Sequence, residues 1–318
     1  MQLISVIVPS YNEEKNIEVL AYQLITIFES LQYRCELIFI NDGSFDDTEN
    51  VLKALCKELP NIYFINLSRN FGQQNALKAG YDYANGQAVI CMDSDLQNPP
   101  ELIRQLISKW EEGFDIVLCK RRGAHQKSGI FKHLTSVIFY KLLKIISDIP
   151  IEQHTPDFRL LDRKIVDIIK GLPEGEIFLR GIISWLGFKK IVVQYEHCAR
   201  IHGQTNYSYG KMFHLAISGL TSFSVRPLHL AIYLGLFISG LSLLYIPYVF
   251  LRYFNGHTIS GWASLIVVVS FLGGLQLFIL GIMGTYIGKI FIQSKKRPEY
   301  IVKDTNLNVE QHTKYHFN

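Results

Sequence analysis

Charged residues are absent from two long stretches of this 318-residue sequence, Leu228 to Leu251 and Gly261 to Ile287. About 20 apolar residues are enough for a helix to cross a bilayer. A buried helix of a soluble protein is the alternative, but two stretches of this length in tandem favour membrane spans. The sequence therefore predicts two transmembrane helices, 228–251 and 261–287.

Basic residues are also scarce between the two stretches, where residues 252–260 contain Arg252 alone. Arg226 precedes the first stretch, and basic residues follow the second at Lys289, Lys295, Lys296 and Arg297. Because cytoplasmic flanks carry the excess of Lys and Arg, we expect a protein of the cell (inner) membrane with both termini in the cytoplasm. The amino-terminal residues lack the features of a signal peptide. We expect residues 1–226 to form a cytosolic domain and residues 288–318 a cytosolic tail, which is polar and partly disordered after Pro298.

Metal-binding cysteine patterns and a strong net charge are missing as well. The five cysteines form no CxxC pair, so we expect buried, reduced thiols. The formal net charge of +4 does not indicate a nucleic-acid partner, whereas it suits a protein that rests on an anionic membrane surface.

The first 120 residues alternate β-rich runs with helical stretches. The predicted strands are Ile4–Val8, Glu36–Ile40, Ile62–Ile65, Ala88–Met92 and Ile116–Leu118. The predicted helices are Glu14–Leu31, Asp47–Leu59, Gln73–Asn85 and Glu101–Glu112. This alternation indicates an α/β fold with a mainly parallel sheet and helices on both faces. Ligands bind to such sheets at the carboxyl ends of the strands.

Polar residues follow each of the first four strands, in segments 9–14, 41–47, 67–72 and 93–97. Each segment suits helix capping, but four segments at one edge exceed what capping requires. The chain between 120 and 226 is less regular. There, a helix at about 130–147 fits either the core or the membrane interface, and we expect 208–226 to lie along the membrane.

A set of motifs in a fixed order then carries a family resemblance: "VIVPSYNEEKNI", "FINDGSFDDT", "LSRNFGQQNALKAGYDYANG", "DSDLQNPP", "DFRLLDR", "FLRGIISWLGF", "RIHGQTNYSYGKM" and "SFSVRPL". Over nearly its whole length the chain resembles the inverting family-2 glycosyltransferases with the GT-A fold, and within them the polyprenyl-phosphate glycosyltransferases. The resemblance implies a nucleotide-sugar donor, a polyprenyl phosphate acceptor, and two spans after the GT-A domain. Self-association into a homo-oligomer is also expected.

Donor-nucleotide residues are expected at the strand ends. Asp42 suits a contact with the base or ribose, as the resemblance also implies, and a turn role is the alternative. Asn12 and Glu13 either line the nucleoside pocket or cap the first helix. The remaining donor candidates are Pro9 and Tyr11 beside the base, Ser94, and Arg200 over the diphosphate.

Asp93 and Asp95 are the candidate metal ligands. In an extended segment, residues i and i+2 point to the same side, so the two carboxylates repel unless a cation lies between them. Mg²⁺ and Mn²⁺ bind carboxylate oxygens together with substrate phosphates. Gln97 is a third candidate ligand, and Asn98-Pro99-Pro100 is expected to start the following helix in place of an aspartate cap.

Acceptor-side residues are Arg121, Arg122 and Lys132, which either bind the lipid phosphate or contact lipid headgroups. The resemblance places a catalytic carboxylate at Asp157, where it would act as a base, orient the phosphate or stabilise the sugar cation. Arg159 pairs with it in the alternative, purely structural reading. Asp95 is assigned to catalysis through its metal.

The expected reaction is inverting transfer of a hexose, in the first place glucose from UDP-glucose, to undecaprenyl phosphate. GDP-mannose, UDP-galactose and UDP-N-acetylglucosamine are alternative donors, because sequence does not position the hydrogen bonds that select a sugar. A polysaccharide synthase is disfavoured because the sequence has no QxxRW motif. A non-catalytic scaffold is disfavoured because Asp93, Asp95 and Asp157 are all present.

Overall fold

A computed structural model describes residues 1–122, 156–172, 178–196, 226–255 and 261–307 of the chain. The predictions for Lys132, Arg200, the helix at about 130–147 and the segment 208–225 lie outside these described residues. The described residues of segments 1–122, 156–196 and 297–307 belong to one compact unit, and two long helices belong to a second.

The first unit contains an eight-stranded sheet in the order β7-β5-β6-β4-β1-β2-β3-β8. The strands are β1 (Leu3–Ser10), β2 (Arg34–Asn41), β3 (Ile62–Leu67), β4 (Ala88–Cys91), β5 (Ile116–Arg121), β6 (Arg159–Asp162), β7 (Lys190–Tyr195) and β8 (Val302–Thr305). Strands β1 to β4 pair in parallel, as β5 does with β7, whereas β6 and β8 pair antiparallel with their neighbours. The prediction of a mainly parallel sheet is confirmed.

The helices of this unit are α1 (Ile17–Glu29), α2 (Thr48–Glu58), α3 (Gln73–Tyr83), α4 (Leu102–Glu111), α5 (Arg163–Gly171) and α6 (Leu179–Trp185). Helix α1 buries Ile17, Leu20, Ala21, Leu24, Ile27 and Phe28, the spacing of a single helical face. Helix α5 begins where the Asp162 side chain accepts the Lys164 N–H at 3.0 Å, so Asp162 is its cap.

The alternation of β1 shows why helices cover both faces of the sheet. Ile4, Val6 and Val8 join the core formed with α1, α2 and α4. Ile7 points to the opposite face, where it lies under Gly80 of α3. Successive strand residues face opposite sides, so a strand covered on both sides is apolar at most of its positions.

The three strands that the sequence did not predict are β6, β7 and β8. Strands β6 and β8 have four residues each and stand outside the regular strand–helix alternation. The expectation of a disordered tail was wrong for residues 302–305, because β8 hydrogen-bonds along β3 and its Val302 is buried.

The second unit contains α7 (Arg226–Phe254) and α8 (Trp262–Ser294), which cover the two predicted stretches. Within the described residues, one segment meets the length and hydropathy of a membrane span, Phe271–Ser294, and none of it is buried. The helical nature of both stretches is confirmed.

Gly86 offers a test of sheet packing. A Cβ at this position would lie 2.4 Å from the backbone nitrogen of Ser5. We expect Gly86→Ala to lower the free energy of unfolding by about 1–3 kcal/mol, because overpacking forces the backbone apart. Gly171→Ala is the control, since nothing lies within 4 Å of its added Cβ. Thermal unfolding of the two purified variants should rank them in this order, and equal melting temperatures would contradict the packing.

Candidate active site

Asp157 and Asp93 are brought together by the pairing of β6 with β4. The last paired residues are Cys91 and Arg159. Since the strands are antiparallel, Asp93 and Asp157 each lie two residues beyond this pair, at the carboxyl end of β4. Gln73, the first residue of α3, donates its side-chain amide to Asp93 Oδ1 at 2.9 Å and to Asp157 Oδ2 at 3.2 Å. The structure thus joins the predicted metal ligand to the predicted catalytic carboxylate.

Two arginines hold Asp157, whose exposed fraction is 1%. Arg159, itself buried, donates to Asp157 Oδ1. Arg180 of α6 donates Nε to Oδ1 and Nη2 to Oδ2, both at 3.1 Å. Burial acts to raise the pKa of Asp157, but the charges of Arg159 and Arg180 hold that pKa below its ordinary value. Asp157 is therefore an ionised carboxylate at neutral pH.

Asp93 has the opposite electrostatic environment. Burial, followed by the charges of Asp157 and Asp95, raises the pKa of Asp93 to about 7. A hydrogen bond from Asn98 and the charge of Arg180 act against this rise. A carboxylate whose proton affinity is raised by neighbouring carboxylates suits a cation, which would relieve the repulsion.

The segment after β4 departs from the extended conformation that we predicted. Strand β4 ends at Cys91, and Leu96 has a positive φ of 57°. The Gln97 N–H donates to Asp95 Oδ1 at 3.2 Å, which closes a turn. The strict alternation of Asp93, Asp95 and Gln97 is therefore absent, and Gln97 as a ligand stays a prediction.

Within the described parts of the chain, no three His, Cys, Asp or Glu side chains form a metal-binding group. Asp93 and Asp95 still fit a divalent cation chemically, because Mg²⁺ and Mn²⁺ complete a small carboxylate set with water and substrate phosphate. The raised proton affinity of Asp93 beside Asp95 is the observation in favour.

Asn98 faces the site and does not cap a helix. Its amide lies 3.4 Å from Asp93 Oδ2, and its carbonyl oxygen accepts the Tyr195 hydroxyl at 2.7 Å. Helix α4 begins at Leu102 after Glu101, and the carbonyl groups of Pro99 and Pro100 accept its first N–H groups, so the segment Asn98-Pro99-Pro100 leads into this helix as predicted while the Asn98 side chain bonds elsewhere. Arg121 donates to the Tyr195 hydroxyl at 3.3 Å, which links a predicted acceptor residue to Asp93. Arg122 bonds Gln194 instead.

The loop after β2 carries Asp42 against the loop after β3. Asp42 accepts the N–H groups of Phe71 at 2.7 Å and Gly72 at 2.9 Å. Gly43 has a φ of +65°, and a Cβ there would lie 2.4 Å from the carbonyl carbon of Arg69. Burial raises the pKa of Asp42, and the two backbone hydrogen bonds act against the rise. Asp42 thus ties the two loops together, and its contact with a base or ribose stays a prediction.

The other donor candidates lie beside this loop. Asn12 donates its N–H to Ser44 Oγ and accepts the Phe45 N–H, both at 2.9 Å. Tyr11 meets Phe45 edge to face. Further along, Glu13 accepts the N–H groups that open α1 and donates its own to Thr48, and the buried Ser94 donates to the Pro9 carbonyl. Pro9, Tyr11, Asn12, Glu13 and Ser94 are therefore connected through neighbouring contacts, and their binding of the donor nucleotide stays a prediction.

Sequence reasoning missed Gln73 and Arg180 as site residues. Both belong to motifs that carried the family resemblance, "LSRNFGQQNALKAGYDYANG" and "FLRGIISWLGF". Their roles depend on which side chains reach Asp157, and a single sequence does not contain that distance.

Comparison with known proteins identifies the family. The model of the family described as Glycosyl transferase family 2 matches residues 5–169, more than half of the chain. This chain belongs to glycosyl transferase family 2. The segment matched contains most of β1, all of β2 to β6, Asp93 and Asp157, whereas β7 and Arg180 lie beyond it.

Curated relatives match over nearly the full length. The chain is 44% identical over 303 residues to the bactoprenol glucosyl transferase of Shigella phage SfV, covering 95% of this chain and 98% of that protein. It is 43% identical over 302 residues to an uncharacterized glycosyltransferase of Synechocystis sp., covering 95% of both. Among solved structures, glucosyl-3-phosphoglycerate synthase from Mycobacterium tuberculosis in complex with Mn²⁺, UDP and phosphoglyceric acid aligns with a TM-score of 0.44 at 21% identity, covering 69% of this chain and 76% of that one.

The buried pair of Asp157 and Arg159 generates a stability prediction. Asp157→Asn leaves the Arg159 charge buried without its carboxylate partner, so we expect a loss of about 3–5 kcal/mol in the free energy of unfolding. The double variant Asp157→Asn with Arg159→Met removes that charge and should regain most of the loss. Denaturant unfolding of both variants measures the difference. A double variant as unstable as the single one would contradict this account.

Proposed function

We propose that this protein is a membrane-anchored, inverting glucosyltransferase that transfers glucose from UDP-glucose to undecaprenyl phosphate or a similar polyprenyl phosphate. The observation that carries the proposal is the similarity to bactoprenol glucosyl transferases at 42–44% identity over 94–95% of the chain. That similarity extends beyond the catalytic unit across both long helices. The product is a lipid-phosphate-linked sugar for glycosylation of the cell envelope.

The charges of the site suit this reaction. The donor diphosphate and the acceptor phosphate are both anionic, so the enzyme must bring two anions together. Arg180 supports this role, because 37% of its side chain is exposed while its guanidinium is oriented by Asp157. Arg121, Arg122 and Lys132 are the further groups assigned to the lipid phosphate.

Asp157 acts as a fixed negative charge in this proposal. Its oxygens accept hydrogen bonds from Gln73, Arg159 and Arg180, and its lowered pKa makes it a weak proton acceptor. A phosphate acceptor is already anionic near neutral pH and needs no general base. We therefore assign Asp157 to orienting Arg180 and to stabilising positive charge on the sugar ring in the transition state.

A divalent cation, Mg²⁺ or Mn²⁺, would be held by Asp93 and Asp95, with Gln97 as a further candidate. When bound, it would neutralise the charge that builds on the departing nucleoside diphosphate. Asn98 and Gln73 support this assignment because their amides orient the Asp93 carboxylate from two sides.

Helices α7 and α8 form the two membrane spans in this proposal, with both termini and the catalytic unit in the cytoplasm. The uncharged stretches within both helices support this arrangement, and the basic residues that flank them set its orientation. The anchor keeps the site at the surface where a polyprenyl phosphate headgroup lies.

A donor screen tests the proposed reaction. Membranes with the full chain are incubated with polyprenyl phosphate and one labelled sugar nucleotide at a time: UDP-glucose, UDP-galactose, UDP-N-acetylglucosamine or GDP-mannose. We expect UDP-glucose to give the fastest labelling of lipid and a β-linked product. EDTA should abolish labelling, and Mn²⁺ or Mg²⁺ should restore it. An α-linked product would contradict inversion, and full activity in EDTA would contradict the role of the metal.

Arg180→Ala tests the role assigned to the Arg180 guanidinium. Loss of a positive group that stabilises developing or approaching charge should lower kcat/KM by roughly 10–100-fold, and Arg180→Lys should recover part of it. Lys164→Ala is the matched control, because Lys164 also pairs with an aspartate, Asp115 at 2.6 Å, but outside the site. Equal activities of Arg180→Ala and Lys164→Ala would contradict the assignment.

A further inference from the structure

A line of hydrogen-bonded side chains runs from the carboxy-terminal strand β8 into the loop that follows β2. Strand β8 follows helix α8 in the chain and closes the outer edge of β3. Its Asp304 lies opposite Asn66 of β3 and accepts the Asn66 side-chain N–H at 2.9 Å. Asn66 has an exposed fraction of 1%, whereas 36% of the Asp304 side chain is exposed, so this contact joins a buried amide to a partly exposed carboxylate.

The line continues across β3 to β2. The side-chain oxygen of Asn66, Oδ1, accepts the side-chain N–H of Asn41 at 3.0 Å. The side-chain oxygen of Asn41, Oδ1, in turn accepts the Ser44 backbone N–H at 3.0 Å. Asn41 is 2% exposed, and its position opposite Asn66 follows from the parallel register of β2 and β3. We call Asp304, Asn66, Asn41 and Ser44 the amide ladder.

Asp304 fixes the direction of this ladder. An ionised aspartate accepts hydrogen bonds and cannot donate them, so the Asn66 amide must turn its NH₂ group toward Asp304. Its oxygen then faces Asn41, which must also turn its NH₂ toward β3. As a result, the Asn41 oxygen is presented to Ser44. The Ser44 N–H, which can only donate, favours the same orientation from the other end, so loss of the acceptor at position 304 removes one of the two groups that select it and leaves the Asn66 NH₂ group without this partner.

The ladder ends at the candidate donor residues. Ser44 Oγ accepts the Asn12 N–H at 2.9 Å, and Asn12 accepts the Phe45 N–H at 2.9 Å. Asp42 belongs to the same loop and is bonded to Phe71 and Gly72. The backbone from 41 to 45 is thus held at two points, by the hydrogen bonds of Asp42 to the loop after β3 and by the hydrogen bond of Ser44 to the ladder.

We propose that β8 is a positioning element for nucleotide-sugar binding, in which Asp304 acts through Asn66 and Asn41 to set the loop 41–45 and Asn12. The proposal rests on the proposed function in that a nucleotide sugar is the ligand that this loop receives. A segment beyond the long helices thereby takes part in donor recognition without touching the donor.

Strand β8 provides its own matched control. The neighbouring Lys303 pairs with Glu49 at 2.9 Å and is the more exposed residue. Glu49 also pairs with Lys53, the ion partner of Asp304, so Lys303→Ala perturbs the same ion-pair network without removing a group of the ladder. Asp304→Ala removes the ladder's terminal acceptor together with an ion pair to Lys53. Asp304→Asn keeps an oxygen that can accept from Asn66 and loses the charge. Comparison of the three variants distinguishes the effect of losing the ladder's hydrogen bond from the effect of weakening the attachment of β8 to the sheet.

Two measurements on the full-length protein in detergent or nanodiscs test the proposal. The first is amide hydrogen exchange of the peptide that covers residues 41–47, without any nucleotide. We expect Asp304→Ala to speed exchange about tenfold, the effect of one lost buried hydrogen bond of about 1.4 kcal/mol, with little change in Lys303→Ala and Asp304→Asn. The second is the KM for UDP-glucose, which should rise about tenfold in Asp304→Ala while kcat and the KM for the lipid stay near wild type.

A purely structural role of β8 would lower the melting temperature and the active fraction in both alanine variants without changing the KM. Equal exchange of residues 41–47 in Asp304→Ala and Lys303→Ala would overturn the ladder. Hydrogen exchange that is faster only in Asp304→Ala would support the ladder. If in addition the wild type neither binds nor consumes UDP-glucose, the proposed donor is contradicted while the ladder is not. Recovery of KM by Asp304→Asn supports hydrogen bonding over charge.

Discussion

The buried charge of Arg159 is the constraint on which the active site depends. A guanidinium with an exposed fraction of 1% is costly unless a carboxylate and further polar groups compensate it. Asp157 provides the carboxylate, and the guanidinium also hydrogen-bonds the Cys91 side chain, which shares a hydrogen bond with Tyr81. The same carboxylate orients Arg180 and shares Gln73 with Asp93. A requirement of the core therefore sets the arrangement of the candidate site, in which Asp157 is both the partner of a buried charge and the carboxylate that we propose for catalysis.

The antiparallel pairing of strand β6 determines where this buried ion pair lies in the sheet. By pairing with β4 on one side and β5 on the other, it places Asp157 at the carboxyl end of strands that otherwise run in the opposite direction. Two aspartates that are far apart in sequence then have contrasting proton affinities, one raised and one lowered. Pairs of this kind are typical of functional sites, because adjacent groups with different charge states can take different roles.

The part of the fold that could be predicted from the sequence is the part in which the local pattern of apolar and polar residues determines the secondary structure. The apolar runs of β1 to β5 and the helices with one buried face, α1, α2 and α4, follow from periodicity, and the parallel order of the strands places the polar strand ends together. Strands β6 and β8 are too short for such a pattern, so their partners and register depend on the rest of the chain. Asn98 illustrates the limit: its local sequence suits a helix start, but Tyr195, nearly a hundred residues away, provides the better hydrogen bond. Leu96 likewise adopts a left-handed conformation that no local preference indicates.

The position of β8 has a consequence for biosynthesis. Domains generally fold from the amino terminus as the chain emerges, but the outer edge of β3 stays unpaired until the ribosome has made α7, α8 and the residues that follow them. An open strand edge is prone to pairing with other chains. The catalytic unit is therefore completed last, by a segment that is synthesised after the hydrophobic helices. In an incompletely translated protein, the edge of β3 would be exposed and the loop after β2 would lack its hydrogen bonds to the ladder. A correctly arranged site would therefore require translation of the whole chain.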